Sequence, residues 1–449
     1  MGTFDRDPGL ITSTPLPTLP VSNLAPVPPS TDPKFTSWGT VTHTGVRLTL
    51  PESNVCLTIP PDALNPGQSA DVFLSVLQGN TQYPQLPGKE TLLSPLVVVG
   101  PRDVSEKLKK PVVVSMPHCA SLRHGNWSVS VLQNENVNQE NNIWSRVVTL
   151  GQETINTPVY AQLDLNQCHV MSDQLTAFAL TGESAKTGQA TKSLRLAAFA
   201  QEGYPVSDLT IRVYCLPDTD DSLSYVTETE KRYNGRLLDA PISVLLVDGG
   251  DNLCLQVENL STAWSCQKGA DYLEVPFYHI WNSSNPSLHC SFTFRCRDRN
   301  SNPMLNFTIG VHQKNLTTSP KHLLKVNCDL TQRGNGSIYG HYSSTSAGLP
   351  LPPAGTKFRI SPATLHTLSS LLDPPNQQGT DWRLLAERLN VHRYVTYFAT
   401  RPSPTEAILH LWEARNREML AVSNLMNILR GMGRFDAANV LEREGEIIR

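Results

Sequence analysis

The sequence predicts a multidomain chain in which two mainly β, sandwich-like domains precede an all-α bundle of six helices. From Ser37 onward, short segments alternate apolar and polar residues between turns such as Asn65-Pro66-Gly67, a pattern typical of antiparallel strands. After about residue 356, apolar residues recur instead at i, i+3, i+4 and i+7, which predicts short amphipathic helices. A chain of 449 residues also exceeds the size of one core.

Composition divides the chain into parts. Stretches rich in Pro, Gly and Ser separate the patterned segments and predict linkers without a core of their own. A short polar stretch at 184–193 is expected to mark a further boundary. The predicted parts, in order, are a Pro-rich linker at 1–36, a first β domain at 37–183, a second β module at 194–329, a Gly/Pro/Ser linker at 330–355 and a helical domain at 356–449.

The helical signals are local and specific. Ser403, Pro404 and Glu406 stand at the N-cap, first and third positions expected of a capping box. Helices this short are marginal alone, so they must pack as a bundle to bury their apolar faces. One more helix is predicted inside the second β module, where a single face carries Leu223, Val226, Glu230, Tyr233 and Leu237.

Charge, hydropathy and cysteine usage exclude several classes of protein. A net charge of −3 gives no reason to expect nucleic acid. No window approaches about 18 consecutive apolar residues, and the start lacks the features of a signal peptide. Nine cysteines without a C-x-x-C favour reduced thiols in the cytosol. Six N-x-S/T sequons instead fit a secreted protein, in which they would carry glycans. They lie at Asn126, Asn259, Asn282, Asn306, Asn315 and Asn335.

Motifs for catalysis are missing from the sequence. It contains no nucleophile elbow, phosphate loop, H-E-x-x-H or EF-hand loop. Adjacent Cys and His residues point to opposite faces of a strand, so no such pair closes on one ion, although residues from different strands could still converge. We therefore predict a non-enzymatic chain with no catalytic, cofactor-binding or metal-binding residue and no cofactor. The neighbours concerned are His118-Cys119, Cys168-His169 and His289-Cys290.

Several segments resemble one family. The helical segments 381–386, 397–400 and 411–415 resemble the death domain of the Unc-5 class of netrin receptors. Residues 38–60 resemble the β-rich domain shared by zonula-occludens scaffolds, Unc-5 receptors, ankyrins and the p53-induced death-domain protein. The second β module resembles the module that follows it in Unc-5 receptors, at Ile211-Arg212-Val213-Tyr214-Cys215-Leu216, Pro276-Phe277-Tyr278-His279-Ile280-Trp281 and Leu288-His289-Cys290.

The resemblance implies the cytoplasmic region of a single-pass netrin receptor, acting in axon guidance and apoptosis and reaching the membrane through a segment absent from this chain. It implies partners that are death-domain proteins or further copies of the chain. As a hypothesis for the mechanism, we also expect intramolecular docking of the death domain on the β domains. Two alternatives stay open: a membrane-anchored, receptor-like relative that regulates NF-kappaB signalling, and an ankyrin-like cytoskeletal adaptor. Candidate residues for death-domain assembly are Arg383, Glu387, Arg388 and Arg393.

Two sequence motifs bear on cleavage of the chain. The p53-induced protein cuts itself at a His-Phe-Ser, whereas this chain has His169-Val170-Met171-Ser172. The extra residue between His and Ser predicts that the chain is not self-cleaved. Asp218-Thr219-Asp220-Asp221 fits the D-x-x-D pattern of caspase substrates and makes Asp221 a possible cut site. The same residues also suit a turn or a helix cap.

Overall fold

The structure is a computed structural model. It describes residues 32–78, 83–135, 143–154, 157–201, 208–267, 269–282, 288–297, 304–316, 321–328, 360–376, 378–416 and 419–447. The linker predicted at 330–355 and most of the linker predicted at 1–36 lie outside these residues.

The first β domain is a sandwich of two antiparallel sheets. One sheet has the order β1-β4-β6-β12-β8-β9, with β5 beside β12, and the other has the order β10-β11-β7-β3-β2. Apolar side chains from the facing sides of both sheets form its core. The strands are β1 (Thr36–Val41), β2 (Val46–Leu50), β3 (Val55–Ile59), β4 (Ala70–Leu77), β5 (Thr91–Leu92), β6 (Leu96–Gly100), β7 (Val112–Pro117), β8 (Trp127–Asn134), β9 (Ser145–Thr149), β10 (Val159–Leu163), β11 (Gln167–Ser172) and β12 (Ala177–Ser184).

The second β domain is built in the same way. Its sheets have the orders β15-β13-β14-β20-β18, with β16 beside β13, and β19-β17-β21-β22. The elements are β13 (Thr191–Gln201), β14 (Asp208–Pro217), α1 (Asp220–Arg232), β15 (Gly235–Leu237), β16 (Ile242–Val247), β17 (Leu253–Glu258), β18 (Trp264–Cys266), β19 (Tyr272–Val275), α2 (Phe277–Trp281), β20 (His289–Cys296), β21 (Leu305–Gln313) and β22 (His322–Cys328).

Helix α1 is the helix expected inside this domain, but it is shorter than predicted. It ends at Arg232, because Asn234 adopts a left-handed backbone with φ of 53°. Tyr233 is exposed, and Leu237 belongs to β15. The apolar spacing that predicted a longer helix extends beyond Asn234, where the backbone leaves the helical conformation.

The helical domain contains the predicted bundle, and the predicted fold class is confirmed. The Ser403 hydroxyl caps its helix as expected by accepting from Glu406 N, and the Ser361 hydroxyl caps another by accepting from Thr364 N. No helix in the described part of the chain is long and apolar enough to cross a membrane. The helices are α3 (Pro362–Leu372), α4 (Trp382–Arg388), α5 (Val395–Phe398), α6 (Pro404–Arg415), α7 (Met419–Gly431) and α8 (Phe435–Ile447).

The two β domains are joined more closely than a polar boundary at 184–193 would suggest. Lys192 is buried, and its amine donates to the Thr91 hydroxyl of β5 at 2.8 Å. That hydroxyl in turn donates to the carbonyl of Trp281 in α2. The Trp281 ring stacks on Trp127 of β8 with centroids 5.7 Å apart. The stretch at 184–193, which the sequence predicts to be a polar boundary, therefore includes a buried lysine between two packed domains.

A contact surface between the first β domain and the helical domain

The outer face of one sheet in the first β domain packs against the helical domain. Met171 lies between Val113 and Tyr160 in the strand register. Successive side chains of a strand point to opposite faces, so these three point away from the sandwich core. All three are buried in the apolar cluster that forms the core of the helical bundle. The two domains thus share one apolar interior across this sheet.

Three tyrosines form the centre of the contact. The Tyr160 ring lies 3.7 Å from the Tyr397 ring and 5.5 Å from the Tyr394 ring, measured between centroids. The Tyr394 hydroxyl donates to the backbone carbonyl of Ala161 at 2.5 Å. Tyrosine suits this position because its ring buries apolar area while its hydroxyl bonds to the sheet backbone. The contact fixes the segment around α5 on strand β10.

Two ion pairs lie at the edge of the contact. Both terminal nitrogens of Arg401 lie 3.0–3.2 Å from the carboxylate of Asp173, and the guanidinium also covers the Tyr397 ring at 4.2 Å. The Lys110 amine lies 2.5 Å from the carboxylate of Glu406 in α6. Partly exposed pairs of this kind are worth roughly 0–1 kcal/mol each. They orient the contact, whereas the tyrosines and their apolar neighbours form its buried centre.

Glu406 differs from its expected role in a capping box. The Ser403 half of the box forms, with a distance of 3.2 Å from the hydroxyl to Glu406 N. The Glu406 carboxylate is bonded to Lys110 of the first β domain. A residue that the sequence assigns to helix capping therefore contributes to the contact between domains.

Three of the four predicted assembly residues lie elsewhere on the helical domain. Arg383, Glu387 and Arg388 are exposed on α4 and make none of the contacts with the first β domain described above. Arg383 pairs with Asp381 at 2.8 Å and covers the ring of Trp382. The backbone of Arg393 lies in the 3₁₀ turn His392–Tyr394, and its side chain is outside the described part of the structure.

Sequence reasoning missed the residues that make the contact, namely Tyr394, Tyr397, Arg401 and Glu406. A signal for the aromatic part was present. Tyr394, Tyr397 and Phe398 crowd three aromatic rings into little more than one turn, more than a four-residue helix can bury on a single side. Such an excess indicates a second apolar neighbour beyond the bundle itself.

A Ser–His–Asp group lies next to the contact in the same sheet. The Ser115 hydroxyl is 2.8 Å from His169 Nδ1, and His169 Nε2 is 3.4 Å from the Asp164 carboxylate. Ser115 has no exposed surface and His169 is only 4% exposed, so a substrate cannot reach the hydroxyl in this arrangement. The Ser115–His169 bond serves here as a buried polar link between β7 and β11.

The residues compared with a self-cleavage motif are separated by the strand itself. His169 and Ser172 are three positions apart in β11, so their side chains point to opposite faces. The Ser172 hydroxyl accepts from Gln174 N instead. Self-cleavage of the chain stays a matter for experiment. Among the residues that the structure describes, no three His, Cys, Asp or Glu side chains are grouped so as to hold a metal ion.

Asp221, the possible caspase site, lies in the first turn of α1 and is 8% exposed. Its burial raises the pKa of the carboxyl group to about 6. Proteases bind substrates as extended segments, so this turn must unwind before a cut. Cleavage at Asp221 stays a prediction.

Comparison with protein families matches the three parts of the chain in order. A model of the ZU5 domain matches residues 37–135, a model of the UPA domain matches residues 190–332, and a model of the Death domain matches residues 365–445. Such domains are protein-interaction modules rather than enzymes. The chain therefore belongs to the proteins that combine a ZU5, a UPA and a Death domain, the arrangement of an Unc-5 type cytoplasmic region.

Proposed function

We propose that this chain is a signalling module whose death domain assembles with other death domains, and that docking on the ZU5 domain controls this assembly. The observation that carries the proposal is the tyrosine cluster, in which Tyr394 and Tyr397 pack on Tyr160 and one hydroxyl reaches the sheet backbone. Docking through so few residues suits a reversible contact, because only Val113, Tyr160 and Met171 of the ZU5 domain join the death-domain core, while the ZU5 sandwich keeps a core of its own.

Two separate surfaces of the death domain take part in this proposal. The surface around α5 and α6 is covered by the ZU5 domain, whereas Glu387 and Arg388 on α4 stay exposed. The docked ZU5 and UPA domains keep neighbouring death domains apart by their bulk. Release then allows α4 and the uncovered surface to make contacts at the same time. Several weak contacts together give an assembly that none of them supports alone.

Analytical ultracentrifugation of the full chain tests this proposal. Arg401→Asp places a carboxylate against Asp173, so we expect the chain to open and to associate as its concentration rises. Adding Glu387→Lys and Arg388→Glu to this variant should remove the association while leaving the chain open. An Arg401→Asp chain that stays compact would contradict docking control, and one that opens but stays monomeric would contradict self-assembly.

We place the module on the cytoplasmic side of a membrane, in an Unc-5 type receptor that acts in axon guidance and apoptosis. The support is the order of the three domains, which an ectodomain-less relative acting on NF-kappaB shares. A full-length transcript decides between the two settings. Immunoglobulin and thrombospondin repeats upstream of this chain would support the receptor, and their absence from a complete transcript would support the relative. Ankyrin repeats there would instead indicate the cytoskeletal adaptor.

A further inference from the structure

The contact between the death domain and the ZU5 domain is made by groups of the two folded domains and not by the segment that connects them. We infer that the same contact also forms between two copies of this chain, with the death domain of each copy docked on the ZU5 domain of the other. This inference rests on the proposed docking. It names a second copy of the chain as a partner and the ZU5 sheet as the surface that receives it.

A long segment separates the two halves of the contact in the sequence. Cys328 ends β22 in the UPA domain, and Ile360, whose N donates to the Glu413 carboxylate at 2.6 Å, precedes α3 of the death domain. Residues 329–359, thirty-one in number, join them. A flexible chain of that length has a root-mean-square end-to-end distance of about 30 Å and a reach of about 100 Å. A neighbouring copy therefore lies within reach of the death domain.

This segment leaves the chain at a different domain from the one that the death domain covers. Strand β22 lies at the edge of the UPA sheet β19-β17-β21-β22, whereas the tyrosine contact lies on β10 of the ZU5 domain. Docking within one chain thus already requires the segment to pass from one domain to another. The contact itself, rather than the point of attachment, decides which ZU5 domain is covered.

A second copy offers every group that the contact needs. The tyrosine cluster, the bond from the Tyr394 hydroxyl to the Ala161 carbonyl and the ion pairs of Arg401 and Lys110 each join a residue of the ZU5 domain to a residue of the death domain. Exchange between copies keeps all of these interactions and needs no new interface. Exchange of identical elements is for this reason a low-cost route to dimers.

Concentration decides between the two forms. A flexible connection holds the death domain at its own ZU5 domain with an effective concentration on the order of millimolar. Free chains at micromolar concentration therefore close on themselves, whereas chains gathered side by side exchange their death domains. After the first exchange, the second joins domains that are already tethered together. The exchanged pair keeps both death domains covered while it links two chains.

Reversing charges in two different chains separates the two forms. One variant carries Arg401→Asp and Glu406→Lys on the death domain, and the other carries Asp173→Arg and Lys110→Glu on the ZU5 domain. Within either variant, both ion pairs become pairs of like charge, which oppose closure on itself and exchange with its own kind. Between the two variants, one exchanged contact keeps the natural pairs and the other contains both pairs reversed.

Both variants also carry Glu387→Lys and Arg388→Glu, which remove the association through α4 that is expected of an open chain. Sedimentation velocity at concentrations up to about 100 μM should show each variant alone as a monomer and the equimolar mixture with about twice that mass. Tyr160→Ala in both variants provides the control, because it removes the ring on which Tyr394 and Tyr397 pack. This side chain points away from the sandwich core, so the substitution should return the mixture to monomers without unfolding the ZU5 domain.

A mixture that stays monomeric overturns the inference when each variant alone sediments more slowly than the unsubstituted chain and is therefore open. A dimer that survives Tyr160→Ala also overturns it, because the association then uses another surface. Failure of docking itself gives a different result. In that case each variant alone would sediment as fast as the unsubstituted chain.

Discussion

Arg401 and Asp173 meet across the contact between the death domain and the ZU5 domain, although 228 positions separate them in the sequence. Two guanidinium nitrogens face the carboxylate at 3.0–3.2 Å, and the rest of the guanidinium lies on the Tyr397 ring. The planar group of arginine suits both contacts at once, which a lysine amine cannot do.

Reversing either charge of this pair is expected to open the chain. Asp173→Arg and Arg401→Asp each place like charges together at the edge of the contact. Small-angle X-ray scattering should show a larger radius of gyration for each variant. The double variant restores opposite charges and should recover part of the compact form. Recovery is expected to be partial, because an aspartate at 401 cannot cover the Tyr397 ring.

Glu406→Gln separates docking from helix capping. The Ser403 cap of α6 stays, while the ion pair with Lys110 is lost. We therefore expect the ratio of open to closed chains to rise about fivefold, with no loss of death-domain stability. Raising the salt concentration should open the unsubstituted chain slightly and the variant less, because the variant keeps only the Arg401–Asp173 pair. Scattering at low and high salt measures both expectations, and equal salt effects on the two chains would contradict the assignment.

Ser403→Ala is expected to act on the death domain itself. Its hydroxyl accepts from Glu406 N and donates to Asp373 at 2.6 Å. Loss of a cap of this kind costs about 1–2 kcal/mol. Urea unfolding followed by far-ultraviolet circular dichroism should show an earlier transition of the helical signal. Thr367→Ala, at an exposed position of α3, serves as a control and should shift the transition much less.

Arg434 ties three parts of the death domain together. Its guanidinium donates to the carbonyls of Thr380 at 2.9 Å and Leu371 at 2.6 Å, and it pairs with Asp436. Arg434→Ala leaves two carbonyls without this donor, and we expect a loss of about 2 kcal/mol in urea unfolding. Arg430→Ala, which breaks an exposed pair with Glu442, should cost less than about 0.5 kcal/mol.

Asp221 makes the stability of the two β domains depend on pH. Burial raises the pKa of this carboxyl group from 3.8 to about 6, so the folded state favours the protonated form. Its contribution to stability is full below pH 4 and is lost as the pH rises to 6. Asp221→Asn should therefore stabilise the chain at pH 7, by at most about 3 kcal/mol, and much less at pH 4.

The difference in unfolding free energy between the unsubstituted chain and Asp221→Asn isolates this group from the other carboxylates. The neighbouring Asp220→Asn removes one acidic residue from the same helical turn and should give no comparable gain at pH 7. A difference between the chain and Asp221→Asn that stays constant from pH 4 to pH 7 would exclude the buried carboxyl as its source.

Much of the fold could be predicted because its signals are local. Alternation along β2 and β3 and the Ser-Pro starts of α3 and α6 depend on neighbouring residues only, and each appears in the structure. Asn54 shows the limit of such reasoning. It occupies a left-handed turn with φ of 52°, a backbone conformation that is uncommon outside glycine but that asparagine adopts more readily than most residues.

The contact surface could not be predicted, since it depends on which faces meet. Tyr394 and Tyr397 lie in the part of the sequence that predicts the helical domain, but their rings also cover Tyr160, more than 230 positions away. The sequence predicts that Lys192 belongs to an exposed polar connection, because lysine is rarely buried. Only the position of Thr91 shows that its amine has a partner inside the protein.

The stacked indoles of Trp127 and Trp281 have a mechanical consequence. Tension on the ZU5 domain passes to the UPA domain through this stack and through the Lys192 amine, so the pair resists shear as one block. The contact beneath the death domain consists of the tyrosine cluster and two partly exposed ion pairs. Under a pull on the chain it is the joint expected to yield first, before either sandwich unravels.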